Sequence, residues 1–269
     1  MNAVLRIMPA LPGSVGRSVR RSTRMVERSI MVYRRTWMII VSGFFEPLFY
    51  LLSIRIGFGT LIGDITLDGR TIGYAEFVAP ALMASAAMNG AVYDSTMNIF
   101  YKIKHAKLYE TALATPLRPG EVAAGEIMWA LLRGLLYSIA FLVCIVALGM
   151  APSPWIVLAV PACLLLGFAF AAMGMAVTTY MRNWADFEFV SAVTLPIFLF
   201  SATFYPLSAY GDWGWIVQVS PLYHGVALVR AAALGEASWS IVGHVAFLVV
   251  MAAVGLRIAS RRLGTLLLT

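Results

Sequence analysis

Long apolar stretches alternate with short polar ones along most of this chain. Six of them reach the roughly 20 residues a helix needs to cross hydrocarbon: Trp37–Leu61, Tyr74–Ile99, Ala123–Met150, Trp155–Met181, Phe187–Pro206 and Ile241–Ser260. The region Leu207–Leu234 is also apolar but is interrupted by Pro221 and several glycines. It is too apolar for a free loop and too broken for a clean crossing. With the end of the fifth stretch it predicts two short re-entrant helices over 200–236, whose irregular backbone needs protein or water around it. Residues 14–36 differ again: Val15, Val19, Val26, Ile30 and Tyr33 recur at helical spacing, while Arg17, Arg20, Arg21, Arg24 and Arg28 lie largely elsewhere around the helix. That pattern predicts an amphipathic helix on the inner leaflet. The expected fold is therefore an all-α polytopic membrane protein with six transmembrane helices. An amphipathic helix lies in an N-terminal cytoplasmic segment, residues 1–36, and the bundle occupies 37–269.

Composition agrees with the pattern. Of 269 residues 61% are hydrophobic and 12% charged, with mean hydropathy +0.83, against about 25% charged in ordinary soluble domains. So little charge excludes a soluble enzyme, a disordered chain and a disulfide scaffold. The net charge of +7 suggests a nucleic-acid partner until the positions are considered. Eight arginines precede the first long apolar stretch, against one acid, Glu27. With the N-terminus inside, 16 Lys and Arg fall on the cytoplasmic side and two, Arg70 and Arg230, outside. Membrane topology explains that bias without nucleic acid and predicts both termini in the cytoplasm. Cys144 and Cys163 lie in apolar runs without CxxC spacing and are read as packing residues.

No catalytic constellation emerges. His105, His224 and His244 stand far apart in sequence and near no carboxylate pair, and neither HExxH nor GxSxG occurs. Gly120 and Gly125 have the spacing of a phosphate loop but lack its Lys and Ser/Thr. No catalytic residue and no metal site is expected. Charged residues within spans point to function more directly, since each costs about 2.5–3.5 kcal/mol at mid-bilayer. Glu46, Arg55, Asp94, Glu126 and Arg133 are the candidates. Glu46 and Arg55 fall on opposite faces of one helix, about 13 Å apart along it. Glu126 and Arg133 share a face but stand about 10 Å apart, so each looks to a neighbouring helix or to a polar part of a substrate. The aromatics Tyr50, Tyr93, Phe198 and Tyr205 are read either as packing and interfacial groups or as lining of a path.

The polar segment from Tyr101 to Gly120 begins basic (Lys102, Lys104, Lys107), becomes helix-forming through Leu108, Ala112 and Leu113, and stops at Thr115-Pro116 and Arg118-Pro119. A short stiff helix on two tethers is a mechanical handle for a partner, or else a surface helix shielding the bundle.

At these residues the sequence resembles the permease subunit of a type-2 ABC exporter. The resemblance lies in Tyr109-Glu110-Thr111-Ala112-Leu113-Ala114-Thr115-Pro116-Leu117, followed by Gly120-Glu121 and Gly125-Glu126. Glu46-Pro47-Leu48-Phe49-Tyr50 is similar to the first span of the NodJ and daunorubicin-exporter branch. Phe198–Leu207 and Ser220–Arg230 resemble the family's fifth-span ending and the segment before its last span. The resemblance implies that the amphipathic helix is a connecting helix and that 101–116 is the coupling helix seated in an ATPase. Lys107, Leu108, Tyr109, Glu110, Thr111, Leu113, Thr115 and Pro116 would make that contact. It implies two permease subunits, the second a copy or a paralogue, and two ATPase subunits. ATP and Mg would be bound by those partners and no cofactor by this chain. The substrate would be amphipathic: a lipid-linked glycan, a glycolipid or a hydrophobic drug. Its path would involve Glu46, Tyr50, Arg55, Tyr93, Asp94, Arg133, Phe198 and Tyr205, in a bacterial plasma membrane. Here a Lys102–Lys107 run stands where many relatives have an acidic and Arg-rich one. The competing class is a secondary transporter or channel that needs no ATPase; a membrane-embedded enzyme is disfavoured by the missing nucleophile and metal ligands.

Overall fold

A computed structural model describes residues 22–31, 45, 48–67, 70–106, 108 and 119–267 of the chain. Helix α1 covers 22–31 and helix α2 covers 48–62, the latter passing through a π-helical turn at Ile54–Phe58. Strands β1 (Asp64–Leu67) and β2 (Arg70–Gly73) form an antiparallel hairpin pairing Asp64 with Gly73 and Leu67 with Arg70. This hairpin departs from the all-helical expectation, although the Asp68-Gly69 pair between its strands is a strong hairpin signal.

Four helices among the described residues are long and apolar enough to cross a membrane. They are α3 (Tyr74–Lys104), α4 (Pro119–Ala147), α5 (Ala159–Thr178, entered through a 3-10 turn Pro154–Leu158) and α9 (Ser240–Leu267). Between α5 and α9 lie α6 (Asp186–Leu199), a 3-10 segment Leu207–Trp213, α7 (Gly214–Val219) and α8 (Pro221–Leu234).

The expected crossings at 74–99, 123–150, 155–181 and 241–260 thus appear, with shifted ends. The first part of the first expected span, 37–44 and 46–47, lies outside the described residues, and its described remainder includes the short apolar helix Leu48–Phe58. The fifth is shorter than expected. α6 contains Pro196 and stops where Phe200 leaves helical geometry, at φ −104 and ψ 51. Fourteen residues extend about 21 Å, against ~30 Å of hydrocarbon.

The second expected span is longer. α3 runs unbroken to Lys104, so Tyr101–Lys104 is its last turn and not part of a separate short helix. Its continuity includes a π-helical turn at Asp94–Asn98. A π turn disturbs the regular backbone ladder, and here the Ser95 carbonyl accepts a hydrogen bond from Thr178 Oγ1 of α5 at 2.8 Å.

α5 is the central helix, flanked by α3, α4, α8 and α9. Its smallest residues permit this. A Cβ on Gly255 of α9 would stand 2.7 Å from the Ala172 and Met173 backbone, and one on Gly174 would meet Ser95 Oγ at 2.0 Å. In a bilayer, where apolar surface gains nothing by leaving lipid, such close backbone approach supplies much of the packing. Two cores result. The larger gathers Phe77, Met83, Leu166, Leu222 and Leu248; the smaller joins Met25, Ile99, Val122, Met175 and Leu263.

The ends of the bundle are distinct. At one, Arg70 of the hairpin approaches Glu236 at 3.7 Å, Gly235 abuts Ser153 and Trp155, and Arg55 donates to the Leu148 carbonyl just past α4. At the other, α1 lies across the start of α4: Ser22 Oγ donates to the Glu121 carbonyl at 3.0 Å, and Met25 fills the space over Gly125. The described part of the amphipathic segment therefore packs Met25 and Val26 inward.

Candidate functional site

The polar groups within the bundle concentrate between α3 and α4. Asp94, at the start of the π turn, accepts from Arg133 Nη1 at 2.8 Å; two turns further along α3, Lys102 Nζ lies 2.6 Å from Glu126 Oε2. Both pairs are largely buried, with side-chain exposures of 12% and 6% in the first and 15% and 4% in the second. Seven residues separate Glu126 from Arg133 on α4 and eight separate Asp94 from Lys102 on α3, so both pairs lie along one seam. Opposite charge order on the two helices makes each pair satisfy the other helix's cost of burial. Breaking one partner of such a buried pair costs more than the pair contributes.

This seam brackets the segment 105–118. α3 enters that segment and α4 leaves it, and the ion pairs join the two helices on the membrane side. Of the eight residues expected at the handle, Leu108 is described; it packs against the smaller core. Lys107, Tyr109, Glu110, Thr111, Leu113, Thr115 and Pro116 lie outside the described residues, as does Glu46. An aromatic cluster extends from the same place. His105 stacks on Tyr101 (5.6 Å between centroids, 2° between planes) and lies 5.4 Å from Trp184. Phe100 meets Trp184 and Phe187 edge-on at 5.2 and 5.3 Å. The end of α3 is thereby joined to the loop before α6 and to the first turn of α6.

The other expected path residues do not converge on one site. Asp94 and Arg133 meet each other. Arg55 reaches the end of α4, while Tyr50 and Tyr93 are exposed on the bundle surface. Phe198 packs edge-on against Phe204, 5.3 Å between centroids, and Tyr205 is exposed.

Two features escaped the sequence. Arg230, counted there among the outer cations and within the predicted re-entrant helices, lies in α8, but its contacts could not be read from spacing. Its guanidinium carbon stands 3.9 Å from the Phe77 ring centroid, and Nη2 donates to the Ala202 carbonyl at 2.8 Å. Ala202 has φ 56, a left-handed conformation disfavoured for a residue with a Cβ. Arg230 thus pins a strained turn between α6 and α7. The second is a correction: His224 and His244, separated in sequence, are in contact. Their Nδ1 atoms are 2.8 Å apart, one donating to the other, and His224 stacks on Phe247 at 3.9 Å. The 20-residue separation spans a turn between two helices, so no local spacing reveals it. No third metal-ligating side chain joins them among the described residues.

At the mouth of α6, Asp186 Oδ2 accepts backbone N–H groups of Arg182 at 2.6 Å and Asn183 at 3.1 Å. These bonds hold the carboxyl below its ordinary range, the Arg182 N–H being the larger cause.

The sequence matches the family model described as ABC-2 type transporter over residues 22–234. It is 29% identical over 233 residues to Nodulation protein J of Sinorhizobium fredii (strain NBRC 101917 / NGR234), covering 83% of this chain and 87% of that protein. Nodulation protein J of Bradyrhizobium diazoefficiens is 26% identical over 234 residues, covering 86% of this chain and 87% of that one. Inner membrane transport permease YadH of Escherichia coli (strain K12) is 24% identical over 213 residues, 77% of this chain and 80% of that one.

Proposed function

The chain belongs to the ABC-2 type transporter family, and from that premise we propose that it is the transmembrane subunit of an exporter powered by a separate ATPase. The substrate is amphipathic: a lipid-linked glycan, a glycolipid or a hydrophobic drug. The site is a bacterial plasma membrane, consistent with the relative named as an inner membrane transport permease. Two copies, or this chain and a paralogue, form a path between them, and two ATPase subunits dock below. ATP and magnesium are bound by those partners.

In this reading the hairpin end of the bundle faces outward and the α1 end faces the cytoplasm, with both termini inside. α6 together with the irregular residues 200–206 that continue it, and the stretch around 37–61, supply the two spans beyond the four long helices. α7 and α8 form the re-entrant pair. Two contacts support that assignment: Ser220, between α7 and α8, approaches the Ile197 carbonyl of α6 at 3.4 Å, and Gly225 abuts Leu166 midway along α5. α8 thus starts deep and ends beside Ser153 at the outer end.

The observation that carries the mechanism is the seam of ion pairs above 105–118. A force applied to a loop between two independent helices bends the loop. Applied between helices joined by Asp94–Arg133 and Lys102–Glu126, it moves both as one body. The ATP-bound and ATP-free partners need only prefer different arrangements of that body to drive alternating access. Reconstitution of the co-purified complex into liposomes tests this. ATP-dependent movement of a fluorescent amphiphile is expected, with none on an ion gradient alone. Transport by the isolated chain on a proton or sodium gradient would instead establish a secondary transporter.

A further inference from the structure

Between its two ends, which touch Phe100 and the larger core, helix α6 packs loosely on the bundle. None of its residues from Asp186 to Leu199 is buried, and behind it, against α3 and α5, lies a cavity of about 570 Å³. That volume is in the range of sites that enclose a ligand, roughly 300–1,000 Å³. Phe170, Met173 and Val177 of α5 form one wall, Val193 and Ile197 of α6 the other.

Along its length the wall has two hydroxyls, and both spend their protons within their own helices. Thr96 Oγ1 donates to the Val92 carbonyl at 2.6 Å and Thr194 Oγ1 to the Val190 carbonyl at 2.7 Å, each within its own helix. A sugar or a peptide would lose its hydration there without replacement; an alkyl chain loses nothing. From Asp186 to Ile197 the wall is about 16 Å long at 1.5 Å per residue, half of the ~30 Å hydrocarbon thickness. One tail of one leaflet has that length.

The mouth differs from the wall. Asp186 spends Oδ2 on two backbone N–H groups, and the exposed Arg182 attracts that carboxylate without closing a salt bridge to any described residue. A second guanidinium, that of Arg262, lies 4.3 Å from the centroid of Tyr180, a residue of the cavity lining. One arginine of the lining, Arg182, therefore stands exposed at an opening whose own carboxylate, Asp186, already accepts two backbone N–H groups. Guanidinium groups so placed bind phosphate or carboxylate through charge-assisted, often paired hydrogen bonds.

We propose that this cleft receives the alkyl tail of the exported amphiphile from the inner leaflet, with an anionic head group held at Arg182. The proposal deepens the export reading and rests on its orientation. It places the first encounter with substrate inside one subunit, behind α6, apart from Tyr50, Tyr93 and Arg55.

The test uses the full chain in phosphatidylcholine nanodiscs, without an ATPase. The probe is a palmitoyl lysophosphatidic acid carrying a photoreactive diazirine in its chain; the comparison is the monoglyceride with the same chain and no phosphate. Labelling should fall on peptides of α5 and α6. Arg182→Gln should weaken the phosphate probe at least tenfold and leave the weaker monoglyceride unchanged. Val193→Trp, a fill from an exposed position that carries no packing, should block both. Labelling spread evenly around the bundle would overturn the proposal. So would equal affinity for the two probes, unchanged binding in both variants, or displacement of the probe by phosphatidylglycerol on equal terms. Failure here leaves the ATPase question untouched, whereas a chain that binds the probe but no ATPase would overturn the export reading alone.

Discussion

Removing one partner of the Asp94–Arg133 pair is the most informative single perturbation of the bundle. The two side chains meet at 2.8 Å and are 6% and 12% exposed, so neither charge recovers much solvation when the other is lost. Arg133→Met leaves a carboxylate in an apolar seam, and Asp94→Leu leaves a guanidinium there. Each single change should cost about 3–5 kcal/mol, which in a protein of this size lowers the melting midpoint by roughly 6–20 °C. The double variant removes both charges together. A small cavity of about 40 Å³ beside Asp94, lined in part by Met83, Tyr137 and Phe141, gives the new leucine room, so the double variant should be more stable than either single one. Replacing a buried pair with apolar residues is often neutral. Thermal unfolding of the four proteins in one detergent, followed by intrinsic fluorescence, completes the cycle. Single variants within about 2 °C of the wild type, or a double variant as unstable as the sum of both, would show that no coupled pair exists there.

Gly255→Ala should destabilise by about 1–3 kcal/mol, because its Cβ would meet the α5 backbone at 2.7 Å. Gly264→Ala, with nothing within 4 Å, is the control; equal melting midpoints for the two would refute the close packing. Arg230→Met strands the Ala202 carbonyl and removes the contact with Phe77, costing about 1–3 kcal/mol, and limited proteolysis should then cut within 200–213 faster than in the wild type. Asp186→Ala tests the turn at 182–186 that leads into α6. A carboxyl held low in the folded state contributes stability above the unfolded carboxylate range, and that contribution disappears as pH falls through the folded value. Wild type and variant should therefore differ in melting midpoint near neutral pH and converge in acid; a difference that grows on acidification would contradict the assignment.

The long helices were legible in the sequence because a run of about 20 apolar residues has few other uses. Their partners were not. Spacing showed that Glu126 and Arg133 look away from each other, to a neighbouring helix or to substrate, and only the placement of α3 identifies Lys102 and Asp94. α6 was overestimated because hydropathy continues past Pro196 while the helix ends at Phe200. The hairpin was missed because a hydropathy reading passes over eight strand residues around Asp68-Gly69. Arg230 was placed in the re-entrant region, but counting cations cannot show that α8 sets it on the Phe77 ring and the Ala202 carbonyl. The cleft behind α6 left no sequence signal, since it arises from a helix that packs loosely.

The central claim is that this chain works through an ATPase that grips the segment 105–118 between α3 and α4. The direct measurement is extraction from the native membrane in mild detergent, with identification and stoichiometry of what remains bound. An ATPase subunit in equal amount, lost when Leu113→Asp or Glu110→Ala is introduced into a chain that still folds, is the expected result. A stable, intact chain that emerges alone under several mild conditions would contradict it.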